Sequence, residues 1–139
     1  MLIVGTCHCG NITFTLYWAP EPASIPARAC TCTFCSKHGG VWTSYPEGLL
    51  QIKEKNPAQV SRYTFGTGTA DFHVCSICGV VPLVTSSIDG RTYAVVNVNT
   101  FENVDASLLQ RSASTVDGES TDDRLSRRKR NWIADVRFL

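Results

Sequence analysis

The chain has 139 residues, 43% hydrophobic and 18% charged, and a net charge of +1. That length fits one domain with a modest core, and the near-neutral balance gives no global field toward nucleic acid. No apolar run approaches the ~20 residues that cross a bilayer, and residues 1–6 lack the charged start and long apolar stretch of a signal peptide, so the chain is read as cytoplasmic.

Residues 2–6 read as a short apolar strand leading into Cys7-His8-Cys9-Gly10-Asn11. From 11 to 18, Ile12, Phe14, Leu16 and Trp18 alternate with polar residues or Tyr17, the period of a half-buried strand. The two strands predict a hairpin with two thiols at its tip. Residues 19–26, with Pro20, Pro22 and Pro26, read as a loop. Arg28 and Ala29 enter a dense stretch, Cys30-Thr31-Cys32-Thr33-Phe34-Cys35, followed by Ser36-Lys37-His38-Gly39-Gly40. Strand-like runs then follow at 41–45, 49–53, 60–65, 71–75, 80–85 and 92–98, separated by turn signals such as Asn56-Pro57 and Asp89-Gly90. Turns about every ten residues predict a mainly β chain. A short helix is expected over 105–110 and a loop over 112–120. Ser120 with Asp123 three residues on resembles a capping box. It opens a helix with acids first and Arg127, Arg128, Lys129 and Arg130 last, as the helix dipole favours. Residues 132–138 read as a final strand or extended tail.

Seven cysteines fall into a pair, a triple and a pair. They make up about 5% of the chain, below the ~8–10% of disulfide scaffolds, and in a reducing compartment clustered thiols point to metal. A structural zinc takes four ligands on two turns, as Cys7/Cys9 with Cys75/Cys78 would supply. Cys30, Cys32 and Cys35 remain, and three protein ligands with an open fourth position is the pattern of a catalytic zinc. A thiolate-rich zinc suits a soft substrate thiol better than water activation. Other groupings stay open at this point. His38, His73 or His8 could close the triple into a second structural site, the pairs could cross, or Cys75/Cys78 could be a redox pair.

With these residues in hand, the chain resembles the glutathione-dependent formaldehyde-activating enzyme family, which includes the centromere protein V group. The residues that carry the resemblance are Gly5-Thr6-Cys7-His8-Cys9-Gly10, the Cys30–Cys35 stretch with Gly39-Gly40, Arg62 to Gly68, Cys75-Ser76-Ile77-Cys78-Gly79-Val80, and Tyr93 to Asn97. The resemblance implies a mainly β, Mss4-like fold with two zinc ions, and with the helix read above the expectation is small antiparallel sheets stapled by zinc, with a short C-terminal helix. From its length the chain is read as a single domain over 1–139, with 111–139 as a C-terminal extension. The resemblance implies a structural zinc on Cys7, Cys9, Cys75 and Cys78 and a catalytic zinc on Cys30, Cys32 and Cys35. It further implies a carbon–sulfur lyase that condenses glutathione with formaldehyde, so the expected partners are a small thiol and an aldehyde.

On the bare residues, His38 is a candidate proton donor or a polar loop residue, and Lys37 a candidate carboxylate contact or a solvated lysine. Trp42, Tyr45 and Phe65 are expected in the core or a pocket wall. The basic run from Arg124 to Arg130 admits nucleic-acid binding. The acidic neighbours Glu119, Asp122 and Asp123 argue instead for a helix that pairs its charges locally. A zinc-stapled binding module for protein or nucleic acid is the alternative to an enzyme.

Overall fold

The computed structural model describes residues 1–139 as eleven strands and two helices. In chain order these are β1 (Leu2–Thr6), β2 (Ile12–Tyr17), β3 (Ile25–Cys30), α1 (Thr33–His38), β4 (Val41–Thr43) and β5 (Leu49–Glu54). Then come β6 (Val60–Tyr63), β7 (Asp71–Cys75), β8 (Leu83–Ile88), β9 (Arg91–Asn97), β10 (Leu109–Ser114), α2 (Thr121–Asn131) and β11 (Asp135–Phe138). The fold is mainly β, as expected. One sheet has the order β1-β2-β5-β11 and the other β10-β3-β4-β9-β8-β7-β6.

The expected β1–β2 hairpin is present, and its alternation sends Ile12, Phe14 and Leu16 inward. These side chains meet Ile3, Leu50 and Ile52 of their own sheet and Leu83, Ala94 and Val96 of the other, forming the main core between the sheets. Strand β9 is buried on both faces. Ala94 and Val96 point into that core, while Tyr93 and Val95 join Trp42, Val84, Ile88 and Trp132 in a second cluster on the opposite face. That explains its unbroken apolar run, the mark of a central strand. Helix α2 packs over β8 on the second face through Leu125 and the Trp132 that follows it.

Five expectations need correction. The sheets are not wholly antiparallel: β10 lies parallel to β3, and β11 parallel to β5. Both strands return by long connections, which permit parallel pairing. Residues 25 and 26 belong to a strand rather than a loop. Pro26 is tolerated because β4 reaches only Arg28 and Ala29, so β3 has a neighbour on one side alone at Pro26. The expected helix at 105–110 is a single 3-10 turn, Ala106–Leu108, held by the Asp105 carboxylate accepting from the Ser107 amide at 2.9 Å. It leads into β10, so the polar 109–114 stretch is a strand whose backbone is satisfied by β3, and the loop begins only after Ser114. Strand β8 begins at Leu83, not at Val80, because the turn at 76–78 is followed by four residues without regular structure.

At the C-terminal end the cap is as read: the Ser120 hydroxyl accepts from the Asp123 amide at 3.1 Å.

Candidate active site

The β1–β2 turn brings Cys7 and Cys9 against Cys75, the last residue of β7, and Cys78 in the turn beyond it. All four sulfurs lie within 4.8 Å of one another. Cys7 and Cys9 are 3.7 Å apart and Cys9 and Cys75 3.5 Å apart. These separations far exceed the ~2.05 Å of a disulfide. They match the edge of a tetrahedron with metal–sulfur bonds of ~2.3 Å. Gly10 and Gly79 close the two turns at φ 84° and 82°, a region that glycine enters without a Cβ penalty. Their amides donate to the carbonyls of Cys7 and Cys75 at 3.1 and 2.8 Å. The Ile12 amide also points at the Cys7 sulfur from 3.3 Å, the kind of donor that steadies a thiolate ligand. Burial would raise Cys78, but amides of Val80 and Cys9 and the thiols of Cys75 and Cys7 outweigh it and bring its thiol down to about 6.

The second cluster forms where β3 ends and α1 begins. Cys30 is the last residue of β3, Cys32 caps α1, and Cys35 lies one turn along it. The Cys32 sulfur accepts from the Cys35 amide at 3.3 Å. The three sulfurs lie within 4.8 Å of one another, and no histidine or carboxylate joins the group. Cys30 is held down at about 5, first because the Cys35 thiol donates to it; burial opposes this, and the Cys32 amide and thiol and the Arg127 charge assist. Cys35 is correspondingly pushed up by Cys30 and by its burial. Both donor sets fit a soft divalent ion such as zinc.

This geometry resolves the groupings left open by the sequence. The pairs do not cross, and Cys75/Cys78 are part of a set of four. His8 is exposed beside the first turn. His73 is 1% exposed, its Nε2 is 2.7 Å from the Thr85 hydroxyl, and burial, with the Arg62 charge adding to it, lowers its imidazole to about 4. His38 ends α1 on an exposed face with its ring 4.4 Å from Phe34 and 6.1 Å from Trp42. It does not line the cavity beside the triple, and neither does Lys37.

That cavity, of about 340 Å³, is bounded by all three cysteines of the triple, by Trp42, Phe65, Phe72 and Trp132, and by Arg28, Arg124, Arg127 and Arg128. Trp42 and Phe65 are therefore wall residues. Tyr45 is elsewhere, stacked on Trp18 at 4.7 Å. The cavity's size is in the range of small-molecule sites. Arginines in the cavity wall were not among the expected site residues. Arg124, Arg127, Arg128 and Asn131 all face the cavity, at the i, i+3, i+4, i+7 spacing of one helix face. An inward stripe normally reads as apolar; a basic one was the available signal. Glu119 pairs with Arg124 at 3.4 Å and with Arg127 at 3.0 Å, whereas Asp122 and Asp123 make no ion pair, contrary to the local pairing expected for them.

The model of the glutathione-dependent formaldehyde-activating enzyme family matches residues 2–115. The chain belongs to this family. A Rhodobacter sphaeroides protein of known crystal structure is similar to it at 26% identity, with a TM-score of 0.59, over 80% of this chain and 99% of that one. The family match spans both cysteine clusters and ends just after β10, so α2 and its arginines lie beyond it. No helix is long and apolar enough to cross a membrane.

Proposed function

We propose that this protein is a carbon–sulfur lyase of the S-(hydroxymethyl)glutathione synthase type, joining glutathione or a related thiol to formaldehyde or another aldehyde. The carrying observation is the Cys30, Cys32 and Cys35 triple: three convergent thiols, no fourth protein ligand, and a cavity at their side. The family description points to the same pair of reactants. Cys7, Cys9, Cys75 and Cys78 would hold a structural zinc and Cys30, Cys32 and Cys35 a catalytic one. When bound at the triple, zinc supplies a lowered pKa for a substrate thiol.

The reaction needs no oxidant or reductant. A carbon–sulfur bond forms as the carbonyl π bond breaks, and the proton lost by the thiol ends on the new alkoxide oxygen. The chain's own contribution is proximity and exclusion of water. Trp42, Phe65, Phe72 and Trp132 wall the cavity with aromatic surface, which confines the two reactants beside the triple. The Arg127 charge stabilises anionic sulfur at Cys30. His38 is given no step, because its ring leans on Phe34 outside the cavity.

The test is adduct formation from ¹³C-formaldehyde and glutathione, followed by NMR with enzyme, without it, and with Cys35→Ser. Acceleration that Cys35→Ser abolishes, together with loss of one of two zinc ions, is expected. A Cys35→Ser protein with both ions and full activity would overturn the assignment.

A further inference from the structure

We propose that the cavity beside the cysteine triple contains a carboxylate-binding subsite centred on Arg128, so that one of the two substrates carries a carboxylate. This deepens the reading above and rests on it for the identity of the reactants. Arg128 is 6% exposed, yet it has no acidic partner. Its bonds all use one terminal nitrogen, Nη1, and all go to neutral oxygens: the Thr69 hydroxyl at 2.8 Å, the Thr69 carbonyl at 3.3 Å and the Ser86 hydroxyl at 3.2 Å. Its guanidinium lies 4.9 Å over the Trp132 ring. Nε is buried without any hydrogen-bond partner. Nη2 makes no hydrogen bond and is not sealed, which leaves one terminal nitrogen of the guanidinium for a carboxylate to meet in a charge-assisted bond.

The surroundings point the same way. Four arginines and no acidic residue line the cavity. Glu119, the acid that pairs with cavity arginines, sits outside the lining and is already shared by Arg124 and Arg127. A buried cation with no counter-charge is costly and persists where it serves a ligand. All three helical arginines come from the segment beyond the family match, so the subsite is an addition to the shared core. The carboxylate belongs either to the thiol or to the aldehyde, and paired probes separate the two sources.

The experiment is a titration of the zinc-loaded full chain, read by the fluorescence of Trp42 and Trp132 in the cavity wall. The thiol pair is 3-mercaptopropionate against 3-mercapto-1-propanol, and the aldehyde pair is glyoxylate against acetaldehyde. Propionate serves as the thiol-free anion. In one of the two pairs the carboxylate member is expected to bind about tenfold tighter or more, as a charge-assisted bond would give. Arg128→Met is expected to erase that preference and leave the neutral member within about twofold. Arg128→Lys, which keeps the charge and loses the planar guanidinium, is expected to fall between, and it carries the test if the methionine variant does not fold. Thiols bound equally with or without a carboxylate, together with equal binding of the two aldehydes, would overturn the subsite while leaving the thiol chemistry standing. So would an Arg128→Met protein that loses zinc but keeps the carboxylate preference, since Arg128 would then only balance the thiolates. Arg128-dependent binding of propionate and 3-mercaptopropionate with equal affinity, and no binding of 3-mercapto-1-propanol, would uphold the subsite and overturn the proposed thiol site.

Discussion

Arg128→Met should leave the stability of the protein almost unchanged, although it removes a buried side chain with three close polar contacts. Burial is the first cause holding this guanidinium down at about 10, with Arg127 and Arg124 adding repulsion and Glu119 opposing. At 1.36 kcal/mol per unit, the fall from the ordinary arginine value corresponds to about 3 kcal/mol. The sign follows from linkage: a depressed folded-state pKa is a cost that is fully present below about 10 and relieved only as pH rises through it. At neutral pH the charge therefore destabilises the fold. Against this stand the stack on Trp132, about 1–2 kcal/mol, and the hydrogen bonds of Nη1, together about 2 kcal/mol. The terms cancel to within about 1 kcal/mol, and methionine restores apolar contact with the Trp132 ring. Ser86 keeps a partner, because its hydroxyl donates to the Thr69 carbonyl at 2.6 Å. The assay is urea unfolding of the zinc-loaded protein at pH 7, with a thermal melt alongside. The expected result is a change of at most about 1 kcal/mol, or about 5 °C. A loss of about 3 kcal/mol or more would show that Arg128 is a structural pillar, since removing one member of a satisfied buried charge pair costs that much, and the reasoning from its missing counter-charge would fail.

Other outcomes follow from the same geometry. Cys75→Ser should halve the zinc content and melt the protein at a much lower temperature, because Cys75 is fully buried and ties the β1–β2 turn to β7; metal analysis with circular dichroism checks this, and two retained ions would contradict it. Gly5→Ala should destabilise by ~3 kcal/mol, since a Cβ there would fall 2.1 Å from Cζ of the buried Phe14 ring; an unchanged melting temperature would refute the contact. Glu119→Gln should cost about 1 kcal/mol at neutral pH. The Glu119 carboxyl is held below its usual range, first by Arg127, so this stability is present above the ordinary carboxylate pKa and lost as pH falls through the depressed one. The difference between variant and wild type should therefore vanish under acid, as paired urea titrations would show; a difference that persists there would exclude the ion pair as its source.

The parts that were legible in the sequence are those with a local cause. The β1–β2 hairpin follows from strict alternation, the α2 cap from Ser120 and Asp123, and the division of the cysteines from zinc's appetite for four ligands against an odd total. What was not legible depends on distant partners. The stretch 109–114 is polar and reads as a loop until β3 supplies its hydrogen bonds, and Pro26 reads as a breaker until the short reach of β4 removes the need for its N–H. The helix α1 is only six residues long, and its cap is a cysteine sulfur rather than a hydroxyl or carboxylate. The arginines of α2 read as a solvated face in the sequence, because a basic helix face ordinarily is one. Only the fold shows that this face closes over the cavity beside Cys30.

The central claim is that the cysteine triple leaves one position for a substrate thiol. Zinc X-ray absorption on the two-zinc protein, with and without glutathione, tests it most directly. Seven cysteine sulfurs shared by two ions give an average of about 3.5 sulfur ligands per zinc. Addition of glutathione should raise that average to about 4, with a matching loss of lighter ligands. An average that stays at its starting value when glutathione is saturating would contradict the account.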